Sequence, residues 1–145
     1  MNINDILIAS NGKLYNKINT KETFNKIKID SRKIKQDDIF IAIKGDKYDG
    51  HGFINDIHNK TKLIITEKEL NIKTPYILVK DTKETLKDIS KYILKKYKPF
   101  IIGITGSMGK TTTRDLLYNI LKEKYKVQTN EKNYNNDIGI PLTIF

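Results

Sequence analysis

The sequence FIIGITGSMGKTTT, residues 100–113, is the strongest indication of fold and chemistry in this 145-residue chain. Its first part, Phe100–Thr105, is a near-continuous apolar run, which is typical of a parallel strand buried on both faces. A glycine-rich turn follows at Gly106–Gly109, and Lys110–Tyr125 then carries leucines and isoleucines at helical spacing. With Lys126–Thr129 as a further strand, this stretch predicts a βαβ unit.

The glycine-rich turn contains the residue types that a phosphate-binding loop requires. Glycine permits the turns that point backbone N–H groups inward and lets a phosphate approach closely. In such a loop Lys110 would hold the β- and γ-phosphates, and Thr111 would offer its hydroxyl to Mg²⁺. The spacing departs from the usual G-x-x-x-x-G-K-[ST] pattern, because position 104 is Ile104 rather than glycine. A tight turn that only uses glycines is the alternative, although such a turn does not require Lys-Thr-Thr at the helix start.

The chain before Pro99 predicts a small α/β domain at residues 1–98, with residues 99–145 as the start of a second domain. Short apolar runs predict strands, and Asp81 with Glu84 three residues later predicts the start of a long helix. The predicted strands lie in Phe24–Asp30, Ile39–Ile43, Leu63–Ile65 and Tyr76–Val79, and the predicted helices span Asn4–Ser10, Gly50–Asn59 and Asp81–Tyr97.

Composition narrows the classes of protein. The formal charge of +10 invites a nucleic-acid function, but all except Arg32 and Arg114 of the 27 basic residues are lysines, and they are spread along the chain. We therefore expect no nucleic-acid partner. The absence of cysteine excludes disulfides and cysteine-ligated metals. The sequence has no secretory signal pattern and no run of roughly 18 apolar residues, so we expect a cytoplasmic protein without a membrane span.

Several stretches resemble the Mur ligases, a family of ATP-dependent ligases of bacterial cell-wall synthesis. The sequence TGSMGKTT at Thr105–Thr112 resembles their P-loop and that of the related folylpolyglutamate synthase. The other matching stretches are Asp30-Ser31-Arg32, DDIFIAIKGDKYDGHGFI at Asp37–Ile54, VKDT at Val79–Thr82 and NYNNDIGIPLT at Asn133–Thr143. The resemblance implies a small α/β uridine-nucleotide domain followed by the first βαβ unit of a P-loop ATPase domain. It covers only the first part of such an enzyme, so we expect this stretch alone to be inactive.

Within the family, the resemblance is greatest to ligases that add D-alanyl-D-alanine (D-Ala-D-Ala) to UDP-N-acetylmuramoyl-tripeptide. It implies ATP and Mg²⁺ as cofactors. The substrate's terminal carboxylate attacks the γ-phosphate and becomes an acyl phosphate, from which the amine of D-Ala-D-Ala displaces phosphate. The resemblance also implies a cytoplasmic enzyme of peptidoglycan synthesis that is monomeric at full length and serves cell shape and division.

The resemblance assigns residues to these tasks. Ser31 and Arg32 are expected to contact the uridine nucleotide, since an arginine fork can donate two hydrogen bonds to a diphosphate. A strand-end turn with a surface arginine is the alternative. Lys110 is the expected catalytic residue and Thr111 the expected magnesium ligand, because stabilising a transferring phosphoryl group is mainly electrostatic work. The expected ATP-binding residues are Gly106, Ser107, Met108, Gly109, Lys110, Thr111, Thr112 and Asn136.

Other polar and aromatic residues near these stretches receive a structural interpretation. Asp49 and His51 match the family, but His51 is expected to be a structural polar residue at a helix start. We expect Tyr48, Tyr92 and Tyr97 to be packing residues rather than stacking platforms for a ligand.

Other functions remain open on the sequence alone. A sister ligase acting on a dipeptide precursor or on folate would use the same phosphate loop. A non-catalytic nucleotide-binding or regulatory module could be built from the same parts. A basic nucleic-acid binder would show a steeply salt-dependent affinity for DNA or RNA.

Overall fold

The apolar runs of the first half of the chain form one five-stranded sheet. In this computed structural model the described residues are 1–45, 48–130 and 136–145. The strands are β1 (Lys13–Tyr15), β2 (Ile27–Lys28), β3 (Ile39–Ile41), β4 (Leu63–Thr66) and β5 (Tyr76–Leu78). The α-helices are α1 (Ile3–Ser10), α2 (Ile54–Ile57), α3 (Thr82–Tyr97), α4 (Lys110–Leu121) and α5 (Gly139–Thr143). Short 3₁₀ helices lie at Ser31–Lys33, Gly50–Phe53 and His58–Lys60.

The sheet has the order β1-β5-β4-β3-β2, and only β1 runs antiparallel to its neighbour. Successive residues of β3 point to opposite faces, as the two-residue period of a strand requires. Ile39 and Ile41 belong to a core cluster with α1 and α3, whereas Phe40 lies in a second cluster with α2. The sheet is therefore buried on both faces, which explains why β3 and β4 are continuously apolar.

Local sequence signals determine the ends of α3. The Asp81 side chain accepts a hydrogen bond from the Glu84 N–H at 2.9 Å and so caps the first turn. Leu86, Ile89 and Ile93 face the core. At the other end Lys98 adopts a left-handed backbone conformation, and its N–H donates to the Leu94 carbonyl. The predicted helix is thus confirmed, and so is the α/β fold class.

The predictions for the strands around the glycine-rich turn are wrong. Phe100–Thr105 and Lys126–Thr129 form no strand, and the Phe100 side chain is 92% exposed. Helix α4 begins at Lys110 as predicted but ends at Leu121 and has no buried residue. A buried parallel strand needs a neighbour for its backbone groups and helices on both faces. Within the described part of the chain, no strand pairs with residues 100–105, so the apolar pattern stays exposed.

Two elements lie outside the sequence predictions. Strand β1 extends the sheet beside β5, and α5 packs against α3. The segment that carries α5 adds Ile138, Leu142, Ile144 and Phe145 to the edge of the larger core cluster. Residues after the predicted boundary at Lys98-Pro99 therefore pack against α3 and the larger core cluster. No helix in the described ranges has the length and apolar character that a membrane span requires.

Candidate functional site

Four parallel strands end at the same edge of the sheet, and the candidate nucleotide residues follow them. The turn at Asp30–Lys33 follows β2, and the segment that leads to Gly50 follows β3. Glu67 comes directly after β4, and Thr82 follows β5 at the start of α3. Ligands of open α/β sheets bind in the crevice outside the carboxyl ends of the strands. This edge is therefore the candidate site of the first domain.

At this edge Arg32 forms a forked ion pair with Asp30. Its Nε and Nη2 atoms each donate to a different Asp30 carboxylate oxygen, both at 2.9 Å. The Arg32 backbone N–H donates to the same carboxylate at 3.1 Å, which caps the short turn that begins at Ser31. These contacts lower the pKa of Asp30 and raise that of Arg32. The Arg32 side chain is 86% exposed, so its outer face is open to an anion.

A buried histidine joins two of the segments at the edge. The His51 side chain is 4% exposed, and the Glu67 N–H donates to its Nε2 atom at 3.1 Å. Because Nε2 accepts, the ring proton lies on Nδ1, which donates to Asp49 Oδ1 at 2.6 Å. The His51 backbone N–H, followed by its ring, lowers the pKa of Asp49 to about 2. Both ring nitrogens bond to the protein, which agrees with the structural role expected for His51.

The hydrogen bonds of His51 continue to the start of α3 through Glu67 and Thr82, residues to which the sequence analysis assigned no role. One oxygen of the Glu67 carboxylate accepts from the Thr82 N–H at 2.8 Å and lies 2.8 Å from the Thr82 hydroxyl. That hydroxyl is also 3.1 Å from the carbonyl of Ala42, after β3. The position of Glu67 directly after a buried strand is the sequence feature that could have identified it as a site residue. Its partners lie 15 or more residues away and could not be found by spacing.

The second candidate site is the glycine-rich turn before α4. Gly106 and Gly109 have φ values of +151° and +79°, in a region that residues with a Cβ rarely adopt. The Lys110 ammonium donates to the Gly106 carbonyl, so the loop folds back on its lysine. Gly109 stands at the N-cap of α4 without a side-chain cap. The first N–H groups of a 12-residue helix are thus available to an anion.

The remaining site predictions have different surroundings. Thr111 and Thr112 are exposed in the first turn of α4. Within the described residues, no cluster of three or more histidine, cysteine or acidic side chains could hold a metal. Asn136 lies just before α5, and its Oδ1 accepts from the N–H of Gly139, the first residue of that helix, at 2.8 Å. Residues 133–135 of the matching stretch that contains Asn136 lie outside the described residues.

The three tyrosines expected to pack behave differently. Tyr92 is half-buried, and its hydroxyl donates to the Asp5 carboxylate at 3.2 Å, as a packing role predicts. The expectation is wrong for Tyr48 and Tyr97, which are 73% and 53% exposed. Tyr48 follows β3 in the chain and belongs to neither of the two core clusters.

Family comparisons cover both halves of the chain. Residues 23–101 match the family described as "Mur ligase family, catalytic domain". Residues 104–145 match the family described as "Mur ligase middle domain". The first match alone spans more than half of the chain.

Individual relatives agree with the family matches. The chain is 35% identical over 145 residues to the UDP-N-acetylmuramoyl-tripeptide–D-alanyl-D-alanine ligase of Buchnera aphidicola, covering 99% of this chain and 31% of that protein. It is 36% identical over 119 residues to the ligase of the same name from Bacillus subtilis, covering 79% and 26%. The chain therefore spans about a third of the length of these relatives.

Solved structures give the same result for the fold. A crystal structure of MurF from Acinetobacter baumannii matches with a TM-score of 0.86 and 29% identity, covering 99% of this chain and 32% of that one. MurF from Thermotoga maritima in complex with ADP matches with a TM-score of 0.69 and 36% identity, covering 83% and 28%. The arrangement of the sheet and of the segments after it is thus one that occurs in solved ligases.

Proposed function

This chain belongs to the Mur ligase family, and from that premise we propose that it is the N-terminal part of an ATP-dependent ligase that adds D-Ala-D-Ala to UDP-N-acetylmuramoyl-tripeptide in peptidoglycan synthesis. The observation that carries the proposal is the match to the Buchnera ligase along 99% of the chain, through both candidate sites. The A. baumannii structure supports it, because its likeness also extends over 99% of the chain. Cytoplasmic location, a monomeric full-length enzyme and a role in cell shape and division follow from the same proposal.

The two candidate sites correspond to two domains with separate tasks. Residues 1–98 bind the UDP-linked precursor at the carboxyl edge of the sheet. Residues 99–145 begin the ATP-binding domain. The family matches support this division, since one ends at residue 101 and the other begins at residue 104.

Arg32 and Ser31 bind the diphosphate of the precursor in this proposal. The Arg32 fork already holds a carboxylate in the geometry that suits a phosphate, with two donors on two oxygens. The outer face of the guanidinium remains exposed and binds the incoming anion. The ion pair with Asp30 keeps the fork oriented before the ligand arrives, which lowers the entropy cost of binding.

The turn at Gly106–Thr112 binds the phosphates of ATP. The positive φ values of its glycines and the uncapped start of α4 fit an anion-binding loop. Lys110 exchanges the Gly106 carbonyl for phosphate oxygens and is the catalytic residue that neutralises charge on the transferring group. Asn136 contributes to the same nucleotide site through its side-chain amide.

Thr111, exposed in the first turn of α4, would hold a magnesium ion at this turn through its hydroxyl. Mg²⁺ commonly takes one or two protein oxygens and completes its shell with phosphates and water, so a cluster of carboxylates is not required. The ion supplies electrostatic stabilisation of the transferring phosphoryl group. In the reaction the substrate carboxylate would attack the γ-phosphorus of ATP, so that an acyl phosphate forms and ADP leaves. The amine of D-Ala-D-Ala would then attack the acyl carbon, which forms the amide bond and releases phosphate.

Calorimetric titration with UDP-N-acetylmuramoyl-tripeptide tests the proposal. We expect binding that free UDP competes away and that Arg32→Ala weakens about tenfold or more, the loss typical of a charged hydrogen-bond pair. Arg114→Ala removes the same charge from α4 and is the matched control. Absence of binding in folded protein would remove the substrate assignment. Tighter binding of the dipeptide precursor or of a folate would instead favour a sister ligase, and binding of ATP alone a non-catalytic module.

A further inference from the structure

Tyr48 is an exposed aromatic side chain on an anchored piece of backbone. Its ring is 73% exposed, whereas its carbonyl accepts a hydrogen bond from the Gly45 N–H at 2.9 Å. A bridge between Lys44 and Asp49 closes the same turn from both sides. The ring is thus presented to solvent from a backbone that is held in place, and it lies outside both core clusters.

The position of Tyr48 relative to Arg32 follows from the topology of the sheet. β2 and β3 are adjacent and parallel, with Ile27 opposite Ile39. Arg32 follows β2 and Tyr48 follows β3, so both lie at the carboxyl edge of neighbouring strands. The two side chains therefore lie at the same edge of the sheet, on segments that follow neighbouring strands.

A chain of buried contacts holds the Tyr48 turn against the sheet. Asp49, the next residue, is fixed by the ring and the backbone N–H of His51. His51 is fixed in turn by the backbone of Glu67 at the end of β4. The Gly50 N–H donates to the Ile43 carbonyl at 2.9 Å on the other side of Asp49. These contacts hold the backbone that directly follows Tyr48.

We propose that Tyr48 is a specificity-determining residue of the nucleotide site: its exposed ring stacks on the pyrimidine base of the nucleotide whose diphosphate meets Arg32, and the Asp49–His51 pair positions it. The identity of the base as uracil rests on the proposed function. An aromatic face stacks on any base, since every base offers a π-face. Preorganisation of the turn by His51 reduces the entropy that the ring loses on binding.

The chain offers a matched control for an exposed tyrosine. Tyr97 is 53% exposed in the last turn of α3, and the Lys96 ammonium lies 5.6 Å from the centre of its ring. It is remote from the carboxyl edge in sequence and follows no strand of the sheet. Replacing Tyr97 removes the same side chain without touching the candidate site.

Titrations of the full 145-residue chain with UDP and with inorganic pyrophosphate test the proposal. Tyr48→Ala should weaken UDP binding about tenfold, within the range found for base–aromatic stacking, and leave competition by pyrophosphate unchanged. Tyr48→Phe and Tyr97→Ala should bind UDP as the wild type does. Nuclear Overhauser contacts between the uracil H5 and H6 protons and the Tyr48 ring should be observed in the complex. His51→Ala should weaken UDP binding in a protein whose circular dichroism is unchanged.

The outcomes separate this inference from the proposed function. If the wild type binds UDP and Tyr48→Ala binds it equally well, the stacking role is wrong and the precursor site stands. Equal losses for UDP and pyrophosphate would also overturn it, because the effect would then concern the phosphates or the fold. If the folded wild type binds no UDP, the precursor site fails and this inference fails with it.

Discussion

The ammonium of Lys96, in the last turn of α3, lies 2.6 Å from the carboxylate of Asp5, in the first turn of α1. The same carboxylate accepts from the Tyr92 hydroxyl at 3.2 Å and from the Asn2 N–H at 3.2 Å. Asp5 thus completes the capping box with Asn2 at the start of α1 and joins this helix to α3. Burial raises the pKa of Asp5, but the hydrogen bonds from Lys96, Asn2 and Tyr92 outweigh burial and leave it below the usual value.

Replacement of Asp5 by alanine should destabilise the fold by about 1–2 kcal/mol, since it removes the acceptor of the Asn2 N–H at the start of α1 and of the Tyr92 hydroxyl. A lowered pKa means that the folded state binds the proton more weakly than the unfolded state does. The contribution of Asp5 is therefore complete above about pH 4 and is lost as the pH falls through its folded pKa. Urea unfolding of both proteins between pH 2 and 7 measures this difference.

Asp88→Ala breaks the exposed Lys91 pair and should cost less than about 1 kcal/mol. An equal cost for both variants would contradict the special role of Asp5.

Gly50 is required where the turn after β3 meets the strand. A Cβ at this position would lie 2.9 Å from both the nitrogen and the carbonyl oxygen of Ile43. These are backbone atoms and cannot rotate away, so Gly50→Ala should destabilise the protein by about 1–3 kcal/mol, as overpacking does. Gly52→Ala is the control two residues later, because a Cβ there has no neighbour within 4 Å. Equal denaturant midpoints for the two variants would refute the prediction.

The pKa of Asp49 should report directly on the contact with His51. The backbone N–H of His51 and then its ring hold this pKa at about 2. In His51→Ala the ring contact is lost, so the pKa of Asp49 should rise towards its ordinary value while the backbone contact keeps part of the shift. The carboxyl ¹³C signal of Asp49, followed by NMR through an acid titration, gives both values. An unchanged titration in the variant would mean that the ring does not stabilise the carboxylate.

Lys110→Ala should weaken binding of ADP by about tenfold or more, because a charged donor to phosphate is removed. The fold itself should tolerate the change, since the ammonium is exposed and contacts only the Gly106 carbonyl among the described residues. Lys122→Ala, at the opposite end of α4, removes the same charge away from the turn. Calorimetric titration of the three proteins checks this. Unaltered ADP affinity in Lys110→Ala would exclude Lys110 as a phosphate ligand.

The fold of residues 1–98 could be predicted where the local sequence pattern and the contacts of the folded chain favour the same element. Asp81 and the apolar positions of α3 predicted a helix that the sheet covers, and Ile39–Ile43 predicted a strand that helices bury on both faces. Strand β1 was missed because Lys13–Tyr15 is only three residues long and half-exposed, and its pairing with β5 depends on residues about 60 positions away. Pairing of that kind leaves no periodicity in the sequence.

The candidate site was predictable only in its motifs. Residue types identified Arg32 and Lys110, because forked and charged donors to phosphate are chemically distinctive. The contacts of His51 with Glu67, and of Glu67 with Thr82, join segments about 15 residues apart and are determined by the sheet, not by spacing. Tyr48 was misjudged for a related reason. An aromatic residue near a buried strand usually packs, whereas Tyr48 is 73% exposed.

Helices α3 and α4 carry similar apolar patterns but should contribute very differently to stability in this chain. Leu86 of α3 is fully buried between the sheet and α1, whereas Leu116 of α4 is 59% exposed. Leu86→Ala should therefore cost about 2–5 kcal/mol, from lost transfer free energy and the cavity left behind. Leu116→Ala should change the free energy of unfolding by less than about 0.5 kcal/mol, because alanine loses little contact there and favours a helix more than leucine does. Urea unfolding monitored by circular dichroism compares the two. A large loss of stability in Leu116→Ala would mean that α4 packs against the rest of the chain in solution. The apolar face that the sequence predicts for α4 would then be buried.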